Sequence, residues 1–313
     1  MSTLNVDIIN PESGTPGDFT PVNLNGSKIK GTGIGLRSIA IGDNLKPFNS
    51  SPGSFSADAI HLGVSVFPNP TDFCPQTVAI GTLIGDLAAS SNTSQSIFIG
   101  TEVARNIGNN SSDNVFIGYK SGESLTGLND HNVMVGSQSG KLITSGNQNT
   151  LYGSFAGSTL TSGGNNVCIG FNSNTATATT NNSITLGNSS HTVIRAAVTT
   201  ITSLSDERDK KEIKDLSTGL EFVESLRPVE FVWDDRDEEG KHDIADFGFI
   251  AQDLKKAQED VDKADVLKLV YEENPDKLEA SYGKLVPILV KAIQEMSSEI
   301  KSLKEEILIL KLK

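Results

Sequence analysis

The pentapeptide NVFIG at 114–118 returns as NVMVG at 132–136 and NVCIG at 166–170, with SIFIG at 96–100, NTLYG at 149–153 and SITLG at 183–187 as variants. Their terminal glycines, Gly100, Gly118, Gly136, Gly153, Gly170 and Gly187, lie 18, 18, 17, 17 and 17 residues apart. A short, regular period of this kind marks a chain that stacks one small unit on the next. TVAIG, ending at Gly81, extends the series upstream. SIAIG, ending at Gly42, reads as a more distant copy across an irregular insert containing FNSSPGS and FPNPTD. A second glycine follows four residues after the first at Gly122, Gly140 and Gly157. Each unit therefore reads as short strand, tight bend, short strand and loop.

Alternation within the motif gives each strand two faces. Val115 and Ile117 oppose Phe116, Val133 and Val135 oppose Met134, and Val167 and Ile169 oppose Cys168. The valine and isoleucine side is expected to line the coil. Phe98, Phe116, Met134 and Leu151 then fall on the opposite side, where an isolated narrow solenoid would leave them wet. Burial against copies of the same chain removes that difficulty, so the pattern predicts a homo-oligomer. The expected fold is mainly β, a parallel β-roll whose coils consume one another's strand edges. Apolar residues at fixed places argue against a disordered segment. The calcium-binding Gly-Gly-x-Gly-x-Asp repeat does not occur, and GTGIG at 31–35 lacks the strand and helix a dinucleotide site needs.

Composition changes near residue 204. Residues 1–204 hold 11 Asp plus Glu and 8 Lys plus Arg, whereas the remaining 109 hold 28 and 18. The net charge of −13, with no basic cluster to track phosphate, argues against nucleic acid as a partner. Cys74 and Cys168 suggest neither a disulfide framework nor a metal site, and no cofactor is expected. His61, His131, His191 and His242 are scattered and read as ordinary turn or surface residues. The start, MSTLNVDIINPESG, has neither a basic nor an apolar signal region, and no apolar run reaches membrane-spanning length. Synthesis in a cytoplasm is expected.

The last third alternates helix and strand signals. DKKEIKDLSTGLEFVESLRPVEFVW predicts a short helix over 217–226 and a strand after Pro228. DDRDEEGKHD reads as a charged hairpin or loop, and IADFGFIAQDLKKAQEDV as a strand entering a helix. VLKLVYEENPDKLEASYGKL gives strand, turn and strand before a final helix over 284–313. In that helix Val286, Ile293, Ile300 and Ile307 are seven apart, and Leu289, Met296, Leu303 and Leu310 fill the intermediate positions. This is a heptad seam, and Ile at one position with Leu at the other usually favours a parallel dimer.

At the composition boundary stands SLSDERDKKEIKDL, 203–216. Ser205 and Lys210 are five apart, and a neutral lysine amine can activate a serine hydroxyl when neighbouring positive charge or burial lowers its pKa. Arg208 and Lys211 are nearby charges. Asp206 could hold the amine protonated or cap the following helix. By itself a Ser-x4-Lys spacing carries little information.

LSDERDKKEI, LRPVEFVW, GFIAQDL, YGKLVPILVKAIQEM and the heptad tail together resemble the peptidase S74-type intramolecular chaperone domain found at the carboxy termini of bacteriophage tail spikes and fibres. The NVxIG repeats, about 77–190, resemble the head repeats of trimeric β-roll adhesins and phage fibre shafts. These resemblances imply a homotrimer. They also imply that the domain brings three chains into register and then cuts itself away at Leu204–Ser205, with Ser205 as nucleophile, Lys210 as base, and Asp206 and Arg208 in support. Asp209 stands where the motif commonly has an apolar residue, which places a carboxylate beside Lys210.

The implied organisation is an attachment or irregular β cap at 1–76, β-roll repeats at 77–190, a linker at 191–204, and a small α+β chaperone domain at 205–313 ending in a coiled coil. The implied role is a virion fibre that binds other tail proteins through its amino-terminal region and a receptor on the host surface. The alternatives are an uncleaved fibre that keeps the domain as a trimer clamp, and a glycan-degrading spike. The last would need paired acids in a cleft, and Glu102, Asp113, Glu123 and Asp130 show no such pairing in sequence.

Overall fold

The computed structural model describes residues 22–24, 27–30, 39–43, 59–68, 74–88, 93–108, 110–198, 201–234 and 241–312. Residues 1–21 of the expected attachment region and 235–240 of the charged loop lie outside them. The chain divides into two compact units, Met1–Asn188 and Ser189–Lys313.

The first unit carries β1 (Val22–Leu24), β2 (Ser27–Lys30), β3 (Ile39–Asp43), β4 (Ile60–Val66), β5 (Val78–Ile84), β6 (Thr93–Ser94) and β7 (Ile97–Thr101). It continues with β8 (Ser111–Ser112), β9 (Val115–Ile117), β10 (Val133–Val135), β11 (Thr150–Tyr152), β12 (Val167–Ile169) and β13 (Ile184–Leu186). All but β6 and β8 form one sheet, in chain order, and from β3 onward every pairing in it is parallel. Its register is the sequence repeat made spatial: Val115, Val133, Thr150, Val167 and Ile184 pair in succession. This is a parallel solenoid. The insert between Gly42 and Gly81 houses β4 of the same series, with Gly42, Gly63, Gly81 and Gly100 paired in one row.

Two expectations about the coil are corrected. Among the described residues the second limb is mostly turn, with only the short β6–β8 pair and a Ser145–Ser162 bridge. Its backbone is left-handed at Lys120 (φ 57°) and Gly122 (φ 60°), and at Gln138 (φ 58°) and Gly140 (φ 58°), which breaks an extended run. The faces of the strand are also reversed. Phe98, Phe116, Met134, Leu151 and Cys168 are the fully buried residues, while Ile97, Ile169 and Ile184 on the other side remain 38, 43 and 73% exposed.

The interior explains the reversal. Ile107, Leu125, Ile143 and Leu160 fill it from the turn limb, again one per coil and at most 1% exposed. Room remains for one strand side chain per coil, so the single central residue points in and its two neighbours point out. Phe67, Phe98 and Phe116 stack along the axis with ring centroids 5.8 and 5.4 Å apart. Each such ring buried contributes about 2–3 kcal/mol.

Polar ladders complete the coil. The asparagine that opens NVFIG is buried and spans coils: Asn132 donates from its backbone N and its Nδ2 to Asn114 Oδ1, at 3.0 and 3.3 Å. The same Nδ2 donates to Gly146 O at 2.9 Å. Asn149 repeats the pattern on Asn132, and Asn166 on Asn149. Each side chain satisfies groups that burial would otherwise leave unpaired.

His61 corrects the reading of the histidines as surface or turn residues. It is fully buried at the inward position of β4, 5.5 Å from the Phe67 ring, and neither ring nitrogen has a hydrogen-bond partner among the described residues. Burial pushes its pKa down to about 4. The neutral ring is what folds, so the unfolded chain binds the extra proton and stability falls as pH drops from 6.5 toward 4. The full loss is about 3 kcal/mol. Urea unfolding followed between pH 7 and pH 4 is expected to show this slope in the parent and not in His61→Leu. Equal slopes would reject the assignment.

The second unit holds α1 (Leu220–Ser225), β14 (Val229–Asp234), β15 (His242–Gly248), α2 (Ala251–Asp260), α3 (Ala264–Leu267), β16 (Val270–Tyr271), β17 (Glu279–Ala280) and α4 (Leu285–Lys311). β14–β15 and β16–β17 are antiparallel pairs. Phe222, Leu254, Leu267, Leu269, Leu285 and Ile288 form the core. Val266 and Leu267, read from sequence as the start of a strand, close α3 instead, which ends at Lys268 in the left-handed region (φ 45°). Pro287 falls in the first turn of α4, where its missing N–H has no intrahelical partner to lose.

Candidate functional site

Residues 201–215 are all exposed, and Leu204 is entirely so. Within this stretch one local device shapes the chain. Asp206, extended at φ −68° and ψ 137°, caps a single 3-10 turn over Glu207–Asp209 by accepting from Arg208 N at 2.9 Å. The Lys210 N–H closes the turn by donating to Glu207 O at 3.0 Å. The chain is thereby folded back far enough for Lys210 Nζ to donate to Ser205 Oγ at 2.6 Å and to Ser205 O at 2.9 Å.

Asp206 and Arg208 form a second pair. The guanidinium donates from Nε to Asp206 Oδ1 at 2.9 Å and from Nη2 to Oδ2 at 2.6 Å. The Arg208 guanidinium and its backbone N–H hold the Asp206 carboxyl below the usual carboxylate range. Ser205 and Lys210 are thus brought together, and Asp206 and Arg208 beside them. The carbonyl within reach of Lys210 is that of Ser205 itself, and the cation that Asp206 engages is Arg208. The spacing permits a serine hydroxyl and a lysine amine to exchange a proton, which is the elementary requirement for activating the hydroxyl.

A second constellation lies on α4. Leu285, Ile288 and Ala292 are 6, 2 and 3% exposed and face the domain core. One residue further along each turn, Val286, Leu289, Ile293 and Met296 are 43 to 64% exposed, and Ile300, Leu303, Ile307 and Leu310 are 47 to 67% exposed. The seam and the packed face are therefore different faces of one helix. The anchoring of α4 also includes a contact that periodicity does not reveal. Glu295 Oε2 accepts from Leu220 N at 2.7 Å, which caps α1 from another element. That backbone bond, with Lys291, holds the Glu295 carboxyl below its usual range. Gly219 has no Cβ to give up there, since one would sit 2.2 Å from the same oxygen.

In the solenoid, Lys120 Nζ lies 3.2 Å from Glu102 and 3.0 Å from Glu123, and Arg105 engages Asp86 and Glu102. These carboxylates are matched to cations rather than paired with each other. Among the described residues no helix is long and apolar enough to cross a membrane.

No curated protein and no solved structure matches the chain. The stretch that begins at the serine of the Ser205–Lys210 contact and runs through the first hairpin and α2, residues 205–263, matches the Peptidase_S74 family, chaperone of endosialidase.

Proposed function

We propose that this chain is the subunit of a trimeric fibre or spike of a bacteriophage virion, and that its carboxy-terminal domain gathers three copies into register and then releases itself at Leu204–Ser205. The observation that carries the reading is the exposed heptad seam of α4, on the helix that packs the chaperone-like domain by its other face. Eight apolar side chains at that spacing are a surface for a like helix. The choice of three strands over two follows the resemblance to trimeric fibres. The outward row of the solenoid, including Tyr152, Ile169 and Leu186 at 59, 43 and 56% exposure, is a second surface suited to copies of itself.

Register gives the chaperone its purpose. Coils that repeat every 17 or 18 residues present nearly the same neighbours when slipped by one unit. A trimeric nucleus at the carboxy terminus fixes the alignment before the shaft pairs.

The cut follows from proximity. The Ser205 hydroxyl adds to the Leu204 carbonyl carbon, with the Lys210 amine taking the hydroxyl proton. The Leu204–Ser205 C–N bond then breaks, the proton passes to the leaving Ser205 amine, and an ester joins Leu204 to Ser205 Oγ. Water hydrolyses it to a Leu204 carboxylate and a free Ser205. A side chain held against its own backbone has a large effective concentration only when folding fixes the geometry, which couples cutting to assembly. Amino-terminal attachment to other tail proteins and carriage to a host receptor complete the proposed role.

Intact mass of the denatured, freshly expressed chain tests the cut. Two pieces meeting at 204/205 are expected from the parent and a single uncut chain from Ser205→Ala. Fragments that persist in Ser205→Ala would exclude Ser205 as the nucleophile. Native mass of the same Ser205→Ala protein is expected to give three copies.

A further inference from the structure

We infer that Arg208 keeps the Lys210 amine available to Ser205 by occupying both oxygens of Asp206. The inference deepens the self-cleavage reading and rests on it for its purpose. A base must shed its own proton first, and a carboxylate beside Lys210 favours the protonated form. Asp206 adjoins the nucleophile and Asp209 adjoins Lys210 in sequence, and among the described residues Asp206 is the one of the two that a cation engages.

The structure disposes of that charge through one residue. Three donors of Arg208 meet Asp206: the backbone N and Nε reach Oδ1, and Nη2 reaches Oδ2. The backbone contact shapes the 3-10 turn that carries Lys210 back to Ser205. The guanidinium contacts neutralise the carboxylate, and only a planar, permanently charged fork can hold both of its oxygens in this way. Among the described residues Lys210 makes no ion pair with a carboxylate, and its Nζ contacts go to Ser205 alone. Shape and charge are therefore separable. The cap needs an oxygen at position 206, and the charge control needs the guanidinium at 208.

That separation sets the test, made on the full chain. In a Ser205→Ala background, which cannot cut, Lys210 is pulse-labelled with acetic anhydride across a pH series and its modification is read by peptide mass. Arg208→Gln is expected to move the labelling midpoint up. Adding Asp206→Asn, whose amide oxygen still accepts the cap bond, is expected to bring it back. In the cutting-competent chain, Arg208→Gln is expected to slow cleavage at pH 7, with recovery at higher pH and in the double variant.

An unmoved Lys210 midpoint in Arg208→Gln overturns the inference. So does a midpoint that Asp206→Asn fails to restore, which would mean that Arg208 acts on Lys210 by its own charge and not through Asp206. If the labelling follows expectation while no form is cut, the charge relation stands and the self-cleavage reading falls.

Discussion

Gly136→Ala is expected to lower the stability of the solenoid by about 4 kcal/mol, the sum of backbone strain and overpacking. Gly136 has φ 138°, a region that side chains with a Cβ rarely enter, and an added Cβ would lie 2.3 Å from Gly153 O in the next coil. The neighbour cannot yield, because the obstructing atom is backbone and its own glycine is held in the same way against Gly170 O. The same contact recurs at Gly118, whose Cβ would meet Gly136 O at 2.4 Å. Urea unfolding of the parent, Gly136→Ala and Gly283→Ala provides the measurement. Gly283 has open space at its Cβ position and serves as the control, expected to stay within about 0.5 kcal/mol. Equal midpoints for Gly136→Ala and the parent would mean that coil spacing is not set by these glycines.

Replacing Ile293 and Ile300 together by Glu is expected to abolish the proposed trimer while leaving each chain's carboxy-terminal domain folded. Both side chains are exposed, at 64 and 47%, and neither contributes to the domain core. Each is already about half buried, so covering the rest against like helices is worth about 1 kcal/mol, and six in a trimer amount to about 6 kcal/mol. The substitution also sets three like charges at each of two layers. Native mass is expected to fall from three copies to one, with helical circular dichroism largely retained. Ile288→Glu on the packed face gives the contrast. At 2% exposure it is expected to unfold the domain, because a buried charge there has no partner. A trimer that survives both seam charges would place the interface elsewhere.

Repetition makes much of the fold readable from order along the chain. The spacing of Gly100, Gly118, Gly136, Gly153, Gly170 and Gly187 is the register of the parallel sheet, because one period equals one coil. Heptad spacing located the seam of α4 for the same reason, since position along a helix fixes position around it. The Ser-Asp-x-Arg-x-Lys run could be read as a local motif because all of its contacts lie within six consecutive residues. What Asp206 does was not readable. Holding the amine and capping the turn are both open to it in sequence; the Arg208 backbone N–H on Oδ1 establishes the cap, and the guanidinium takes up both oxygens.

The periods of 17 and 18 residues, the heptads and the serine–lysine spacing were thus determined by the chain itself, since each is a matter of order along it. Tertiary structure alone decided which strand face turns inward, that His61 is enclosed, that Asn114, Asn132, Asn149 and Asn166 form a ladder, and that Glu295 caps α1. The physical reason is that alternation defines two faces without ranking them. The interior of a narrow coil, already half filled from the turn limb, admits one side chain per strand and sends the other two out.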